Sequence, residues 1–454
     1  MFPAIFAQFF IFNSWSCLFC GFRQIAGVEE SKKSHVVVLG AGFGGLTFCK
    51  QFRHANARIT LVDRTNHHLF QPLLYQVATC ALSATDVAQP VRAILSKRMD
   101  ITVLLDQATG FDLAQKRAFL GTGALDYDYL VLALGGHTGY FGHHEWEQFA
   151  PGLKTLDDAL RLRSRILMAF EKAEGETNPA EHDRLMTIVV VGGGPTGVEL
   201  AGSFAELTRT VMNLDFRRVD PSQAHVILLE GGPRILSHLT PDLSEKARRQ
   251  LVHLGVNVET GTQVKSIREG VVELANGKII KAGNIVWAAG VAATPLAKKL
   301  GVETDRSGRV KVNPDLSLPG HPEVFAIGDM ALVLEADGKP VPGVSPAAMQ
   351  MGKHVAGIIA AELDAGAHRP ARPPFKYWDK GTMATIGRSA AVAQMGSLRL
   401  SGYPAWLAWL FVHLIFLIGF RNRTAVLYQW AYAYIFNRRS ARIITHQPQP
   451  VEVE

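Results

Sequence analysis

Two glycine-rich turns, each followed by an acidic residue, have the residue types and the spacing that could bind a cofactor. The first turn contains Gly40, Gly42, Gly44 and Gly45, and Asp63 follows at close to the roughly 20 residues that a dinucleotide-binding βαβ unit needs. The first glycine permits a tight bend, the second lets backbone N–H groups approach a pyrophosphate, and another lets helix and strand pack closely. Because the acid can accept hydrogen bonds from ribose hydroxyls, the stretch predicts a dinucleotide site.

The second turn repeats this composition with a longer gap. Gly192, Gly194 and Gly197 precede Glu230, and the intervening segment TRTVMNLDFRRVDPSQ is interpreted as a helix extension and a loop. A single such turn also fits ordinary α/β packing, but two turns with matching acids favour two dinucleotide sites. Glu230 could be a surface charge, or it could bind the ribose and repel a 2′-phosphate. Arg234, four positions later, could instead accommodate that phosphate.

Short β-branched runs supply the elements that must position these residues. The two turns lie in HVVVLGAGFGGLTFCKQF from His35 and TIVVVGGGPTGVELAGSF from Thr187, each a strand, a turn and a helix-like stretch. Asp329, beside Gly328 at another strand end, could hydrogen-bond the ribityl chain of a flavin or cap a helix. Further strands are predicted at 128–136, 284–291 and 323–330. The alternation predicts an α/β fold with two Rossmann-like dinucleotide-binding domains.

Composition limits the class of protein. The chain has 454 residues, 48% hydrophobic and 19% charged, which indicates a globular protein of two or three domains. Its formal net charge of +7 equals the seven arginines between Gly381 and Pro450, a stretch without lysine or acid. Because these arginines flank apolar and aromatic runs, they favour an anionic membrane surface over nucleic acid. The four cysteines end at Cys80, which argues against a disulfide scaffold, and no ligand spacing predicts a metal site.

Two apolar runs dominate the C-terminal region. The first extends over 403–420 and the second ends at Phe436, and both fall short of the ~20 apolar residues of a spanning helix. An amphipathic helical hairpin lying in the membrane interface is therefore predicted, with a buried hairpin or a dimer interface as the alternative. The apolar residues 1–22 are interpreted as a short anchor or a misassigned translation start, and the second is favoured.

Longer motifs resemble a known family. NHHLFQPLLYQVAT from Asn66, GGGPTGVELAG from Gly192, PAAMQMGKHVA from Pro346 and DKGTMATIGR from Asp379 are similar to type II NADH:quinone oxidoreductases, which are two-dinucleotide-binding-domain flavoproteins. The resemblance implies an NADH domain nested within an FAD domain. The predicted ranges are 1–33 for an apolar extension, 34–155 and 276–345 for FAD binding, 156–275 for NADH binding, and 346–454 for the quinone site and membrane anchoring.

The resemblance also implies roles for three residues. Glu199 would lie near the flavin and the nicotinamide or quinone, where it could relay protons or orient NADH; the alternative is a helix-start carboxylate stabilised by the dipole. Gln350 would lie at the quinone-side edge of the flavin, or would only hydrogen-bond within a lobe interface. Lys380 would stabilise negative charge on reduced flavin or quinone, or would be an exposed turn lysine. Pro346 stands where some members carry a second glutamine, which puts any glutamine pair in doubt.

The implied activity is FAD-dependent oxidation of NADH with two-electron reduction of a quinone, without proton pumping. Thiol-based relatives, the disulfide reductases and sulfide:quinone oxidoreductases, are disfavoured because Cys49 lacks a partner and the second half of the chain has no cysteine. The rival from another class is a soluble FAD-dependent reductase that supplies an iron–sulfur protein such as ferredoxin, and a flavin-bearing protein without turnover is a third interpretation. We expect a peripheral, monotopic protein on the cytoplasmic face of the membrane, with a homodimer as a further candidate assembly.

Overall fold

The structure is a computed structural model that describes residues 33–445 apart from 214, 336, 367, 369, 437, 438 and 440. The interpretations of the N-terminal apolar run therefore lie outside the described residues.

Eleven α-helices and 25 strands form the described part of the chain. The helices are α1 Phe43–Gln51, α2 Leu74–Ala78, α3 Ala84–Val87, α4 Val91–Ile94, α5 Leu156–Gly175, α6 Pro179–Leu185, α7 Pro195–Glu206, α8 Pro241–His253, α9 Ser345–Ala365, α10 Tyr403–Phe416 and α11 Phe420–Phe436. The strands are β1 Ser34–Leu39, β2 Ala57–Asp63, β3 His67–Leu69, β4 Ala88–Pro90, β5 Ile101–Leu105, β6 Ala108–Asp112, β7 Arg117–Leu120, β8 Ala124–Asp126, β9 Tyr129–Leu132, β10 Gly136–Thr138, β11 Thr187–Val191, β12 His225–Leu229, β13 Val256–Glu259, β14 Val264–Arg268, β15 Val271–Leu274, β16 Ile279–Lys281, β17 Asn284–Trp287, β18 Val291–Ala293, β19 Val310–Lys311, β20 Ser317–Leu318, β21 His321–Ala326, β22 Ala331–Leu332, β23 Thr382–Gly387, β24 Ala390–Met395 and β25 Leu398–Ser401.

The first glycine turn follows β1, which belongs to a six-stranded sheet with the strand order β20-β21-β9-β1-β2-β5. Strand β1 pairs in parallel with β2 on one side and β9 on the other. Its run of valines is buried, as expected for a parallel strand covered on both faces. The predicted strand at 128–136 is shorter, because the chain leaves the sheet after Leu132 and pairs again only at β10. The α/β prediction is confirmed.

The second glycine turn follows β11, which belongs to a separate four-stranded parallel sheet with the strand order β13-β12-β11-β17. Strand β17 pairs with β11, so this sheet extends past residue 275, the predicted end of its domain. The antiparallel pair β10 and β18 connects the two halves, and β21 returns to the first sheet. The second domain is therefore inserted within the first.

The C-terminal region combines a three-stranded sheet, β23 to β25, with α10 and α11. Helix α10 buries Trp409, which belongs to the same core cluster as α5 and α7. Its outward residues Leu407, Phe411 and Ile415 are also apolar and exposed. The helix therefore lacks the polar face that the word amphipathic implies. Across the described residues, no helix combines the length and the apolar composition needed to cross a bilayer.

Candidate active site

The first glycine turn has the geometry of a pyrophosphate cradle. Gly40 adopts a φ of +105°, and a side chain there would collide with the carbonyl of Ala133. A Cβ at Gly45 would collide with the carbonyl of Gly40, so this glycine lets α1 pack on the turn. In contrast, a Cβ at Gly42 would have no described atom within 4 Å. The space in front of the α1 N-terminus is therefore open to an anionic group.

Asp63 lies at the end of β2 and closes this cradle from the side. Its Oδ2 accepts the Ala41 N–H at 2.6 Å, and its Oδ1 accepts the Thr65 N–H at 2.7 Å and the Thr65 hydroxyl at 2.8 Å. Gly44, the second residue of α1, packs closely against Ile327, because a Cβ there would lie 3.1 Å from that side chain. The carboxylate is thus held beside the open space in front of α1.

The second turn repeats this construction. Gly192 has a φ of +115°, a Cβ at Gly197 would collide with the carbonyl of Gly192, and Gly194 again faces space without described atoms within 4 Å. Glu230 Oε2 accepts the Gly193 N–H at 2.6 Å, and Oε1 accepts the Gly232 N–H, also at 2.6 Å. In both cradles the acid binds the backbone between the first two glycines and the residue two positions beyond itself. Sequence spacing located both acids but not this shared clamp.

Arg234 is turned to its own loop. Its Nη2 donates to the carbonyl of Ser237 at 2.9 Å, and the side chain is half-buried. The Arg234 guanidinium is therefore hydrogen-bonded to Ser237, whereas the Glu230 carboxylate lies at the glycine turn.

Asp329 lies in a single 3₁₀ turn, Gly328–Met330, and does not cap a long helix; α9 begins later, after Val344. Burial lowers the pKa of Lys154, and the negative charge of Asp329 opposes that shift. The two groups thus lie near each other at the carboxyl end of β21. Sequence reasoning missed Lys154, because nothing around it resembles a motif.

Glu199 lies in the second turn of α7, not in its first turn as predicted, because the helix begins at Pro195. Burial raises the pKa of its carboxyl to about 8, and the backbone of Thr385 and the side chain of Trp409 partly oppose the shift. The indole Nε1 of Trp409 has no hydrogen bond of regular geometry among the described residues. Glu199 opens into a cavity of about 360 Å³. Because Glu199 lies beyond the first turn of α7 and burial raises its pKa, stabilisation by the helix dipole is not the main influence on this carboxyl.

Gln350 and Lys380 face a different cavity of about 690 Å³. Gln350 Nε2 donates to the Trp378 carbonyl at 3.0 Å, and its Oε1 accepts the Trp378 N–H at 2.9 Å. The Lys380 ammonium lies 5.3 Å from the Trp378 ring centroid and 5.5 Å from that of Phe416. The glutamine amide thus holds the segment that carries the lysine. Glu199 does not line this cavity, so the three residues divide between two sites.

A partly buried chain of hydrogen bonds lines one side of the Glu199 cavity and was not predicted. Trp430 Nε1 donates to Gln76 Oε1 at 2.8 Å, and Gln76 Nε2 donates to the Tyr75 hydroxyl at 3.0 Å. Burial raises the pKa of Tyr75, and the negative charge of Glu199 adds to the shift. Tyr75 and Gln76 lie within the motif NHHLFQPLLYQVAT, which was the available signal, but the motif alone does not tell which face they take.

Several tail arginines bind protein groups. Arg439 Nη2 pairs with Glu206 Oε2 at 2.6 Å, and Arg442 pairs with Asp215. Arg423 Nε donates to the Leu417 carbonyl at 2.8 Å, at the C-terminal end of α10. Three of the seven tail arginines thus bind protein groups, and the preference of the arginine-rich tail for an anionic membrane surface stays a prediction.

Comparisons with known proteins agree with this architecture. The family description "Pyridine nucleotide-disulphide oxidoreductase" matches residues 34–352, and "NDH2 C-terminal domain" matches residues 379–439. The chain is 45% identical to the "Type II NADH:quinone oxidoreductase Ndh" of Mycobacterium tuberculosis, over 94% of this chain and 93% of that protein. It is 44% identical to NdhA of the same organism, over 91% and 90% of the two chains.

Among solved structures, NDH2 of Plasmodium falciparum in complex with NADH matches with a TM-score of 0.81 and 21% identity, over 90% of this chain and 99% of that chain. The sulfide:quinone oxidoreductase of Aquifex aeolicus matches with a TM-score of 0.69 and 17% identity, over 89% and 95% of the two chains. At these identities the structural matches support the fold alone.

Proposed function

The chain belongs to the type II NADH:quinone oxidoreductase family, and from that premise we propose how its residues divide the reaction. The protein is an FAD-dependent enzyme that oxidises NADH and reduces a quinone by two electrons without pumping protons. The rival activity, a soluble NADH:ferredoxin-type reductase, is disfavoured because the C-terminal region matches the NDH2 C-terminal domain over residues 379–439.

The paired cradles are the observation that carries the assignment of the cofactors. The residues fit two dinucleotides, because each turn leaves open space at a helix N-terminus and places a carboxylate beside it. We assign FAD to the turn before Asp63 and NADH to the turn before Glu230. When bound, FAD would supply hydride acceptance and two-electron release. Asp329 and Lys154 would contact the FAD chain at the end of β21.

Glu230 is proposed to select NADH. Its carboxylate is oriented by two backbone N–H groups and still has acceptor capacity for ribose hydroxyls. A 2′-phosphate would meet this negative charge, and Arg234 is engaged by Ser237. The preference for NADH over NADPH then results from repulsion of the wrong donor as well as from hydrogen bonds to the right one.

Glu199, Lys380 and Gln350 are proposed to serve the acceptor half of the reaction. Glu199 can hold a proton at neutral pH, because burial raises its pKa to about 8. Lys380 supplies a positive charge that can stabilise an anionic reduced product. Gln350 acts as a positioning residue, since both ends of its amide bind the backbone of Trp378.

The outward face of α10 is proposed to rest on the cytoplasmic surface of the membrane. Leu407, Phe411 and Ile415 recur every four residues and are 46%, 66% and 46% exposed. A row of apolar side chains of this size favours contact with lipid, which also contains the apolar quinone. A second copy of the chain is the alternative occupant, and vesicle binding against oligomeric state separates the two.

The test of the proposed function follows the cofactor spectrum. The purified protein should carry oxidised flavin that NADH bleaches and a short-chain quinone restores. Reoxidation by ferredoxin but not by quinone would contradict the proposal and favour the soluble reductase.

A further inference from the structure

The strand order of the second sheet locates the crevice for the electron donor. In the order β13-β12-β11-β17, the chain moves outward from β11 through β12 to β13 and then returns to the other side of β11 as β17. In open parallel sheets a ligand binds at the carboxyl ends of the strands, where the order reverses in this way. A Cβ at Gly192 would lie 2.7 Å from the carbonyl carbon of Ala288. The glycine turn after β11 therefore borders the segment that follows β17.

The direction of the donor along this crevice follows from Glu230. With Glu230 at the ribose and the N-terminus of α7 at the pyrophosphate, the adenosine end of NADH lies over β12 and the pyrophosphate over β11. A dinucleotide that crosses the sheet from β12 to β11 continues towards β17. Its nicotinamide half then passes the segment 288–290, so groups exposed beside that segment can contact the reacting half of NADH.

Phe141 is exposed beside that segment. Its side chain is 74% exposed, although the ring packs against Trp287 in a T-shaped contact with 6.2 Å between the centroids. A Cβ at Gly290 would lie 2.9 Å from the Phe141 ring, so the missing side chain at Gly290 lets the ring lie close to the backbone after β17. The rest of the ring surface is accessible to a ligand in the crevice.

The loop that carries Phe141 is fixed to β17. Trp287 Nε1 donates to the Gly139 carbonyl at 2.9 Å, and the Gly139 N–H donates to the Gly290 carbonyl at 3.3 Å. The Tyr140 ring stacks on the Trp287 ring with 5.5 Å between the centroids. Phe141 itself has a φ of +52°, a left-handed conformation that bulky residues rarely adopt. Such strain persists only where the surroundings enforce it, and it is frequent at ligand clamps.

We propose that Phe141 is a donor-binding residue whose ring packs against the nicotinamide riboside half of NADH. The dihydronicotinamide ring of NADH carries no charge, so it can pack against an apolar aromatic surface. Because the loop is fixed to β17, that surface stands at a set place beside the crevice. Glu230 then binds the adenosine half and Phe141 the reacting half, at the ends of two different strands.

A matched pair of glycine substitutions tests this role. Phe141→Gly removes the ring and retains the backbone conformation, because glycine adopts a positive φ without strain. The control is Lys116→Gly, since Lys116 is also exposed, has a φ of +54° and lies in the turn between β6 and β7. Phe141→Tyr keeps the ring. Phe141→Asn replaces the glycine variant if that variant does not fold, because asparagine also tolerates this conformation.

Calorimetric titration of the flavin-loaded protein with two probes separates the halves of the donor. Tetrahydro-NAD is an NADH analogue that cannot donate hydride, and ADP lacks the nicotinamide riboside half. We expect Phe141→Gly to bind tetrahydro-NAD about tenfold more weakly than the wild type, as for the loss of a packed aromatic contact, and to bind ADP with unchanged affinity. Lys116→Gly and Phe141→Tyr should keep both affinities.

Three results would overturn the proposal: unchanged binding of tetrahydro-NAD by Phe141→Gly, equal weakening for both probes, or the same loss in Lys116→Gly. The identity of the donor rests on the proposed function, but the titration needs no turnover. Wild-type flavin that NADH does not bleach would contradict the proposed function. Equal affinities of the wild type and Phe141→Gly, in protein that NADH does bleach, would contradict only the role of Phe141.

Discussion

Glu199→Gln should change how the stability of the protein depends on pH. The folded pKa of about 8 lies above the ordinary value of 4.5, so protonation of this carboxyl favours the folded state. Its contribution is fully present below the unfolded pKa and is lost as the pH rises through the folded pKa. From pH 6 to pH 8 the unfolded carboxyl is ionised and the folded one is still releasing its proton. At about 1.4 kcal/mol per pH unit, less the partial ionisation near pH 8, the wild type loses about 2 kcal/mol.

Chemical denaturation of the flavin-loaded protein at pH 6 and pH 8 measures this loss. The glutamine variant has no carboxyl to ionise, so its unfolding free energy should fall by about 2 kcal/mol less than that of the wild type over the same interval. Glu171→Gln, on the exposed face of α5, serves as the matched control and should follow the wild type. If Glu199→Gln and the wild type lose stability in parallel, the carboxyl is not protonated at neutral pH and the reasoning on Glu199 is refuted.

Three further perturbations address the cradles and the outward face of α10. Gly194→Ala should fold and keep FAD, because a Cβ at this position meets no described atom within 4 Å. The added methyl group should nevertheless weaken NADH binding tenfold or more in a titration. An unchanged NADH affinity would contradict the second cradle. Glu230→Gln should lower the NADH over NADPH ratio of kcat/KM by about tenfold or more, since charge-assisted hydrogen bonds contribute about 1.5–3 kcal/mol; an unchanged ratio would remove its role. Replacing Leu407 and Phe411 by Asn should release the protein from anionic vesicles. The control Ile279→Asn, at a 59% exposed position on β16, should leave vesicle binding unchanged. Equal release by both variants would refute the contact of the outward face of α10 with the membrane.

Deleting the C-terminal helices would be a poorer test of that face. Trp409 and Val426 are fully buried in the same core cluster as α5 and α7. Removing them would expose that core as well as the outward face. Loss of membrane binding could then reflect unfolding, so substitutions at exposed positions are the cleaner perturbation.

The cradles could be predicted from the sequence because their chemistry is local. Glycines at fixed spacing after a β-branched run determine the turn, and Asp63 and Glu230 follow at the next strand ends. The parallel order of the two sheets follows from the same strand–turn–helix units.

The surroundings of Glu199 could not be predicted in this way, because they come from distant parts of the chain. Arg439 contacts Thr79 and Glu206 across separations of 360 and 233 residues. Its sequence context, an arginine after an aromatic run, is equally typical of a membrane-facing charge. Gln350 is a similar case, since only tertiary packing places its amide against the backbone of Trp378.

The central claim is that NADH electrons pass through this protein to a quinone, and anaerobic stopped-flow spectroscopy tests it directly. The account predicts that NADH bleaches the flavin absorbance and that a short-chain quinone then restores it within the turnover time. Bleaching that quinone fails to reverse, in protein that keeps its flavin, would contradict the account.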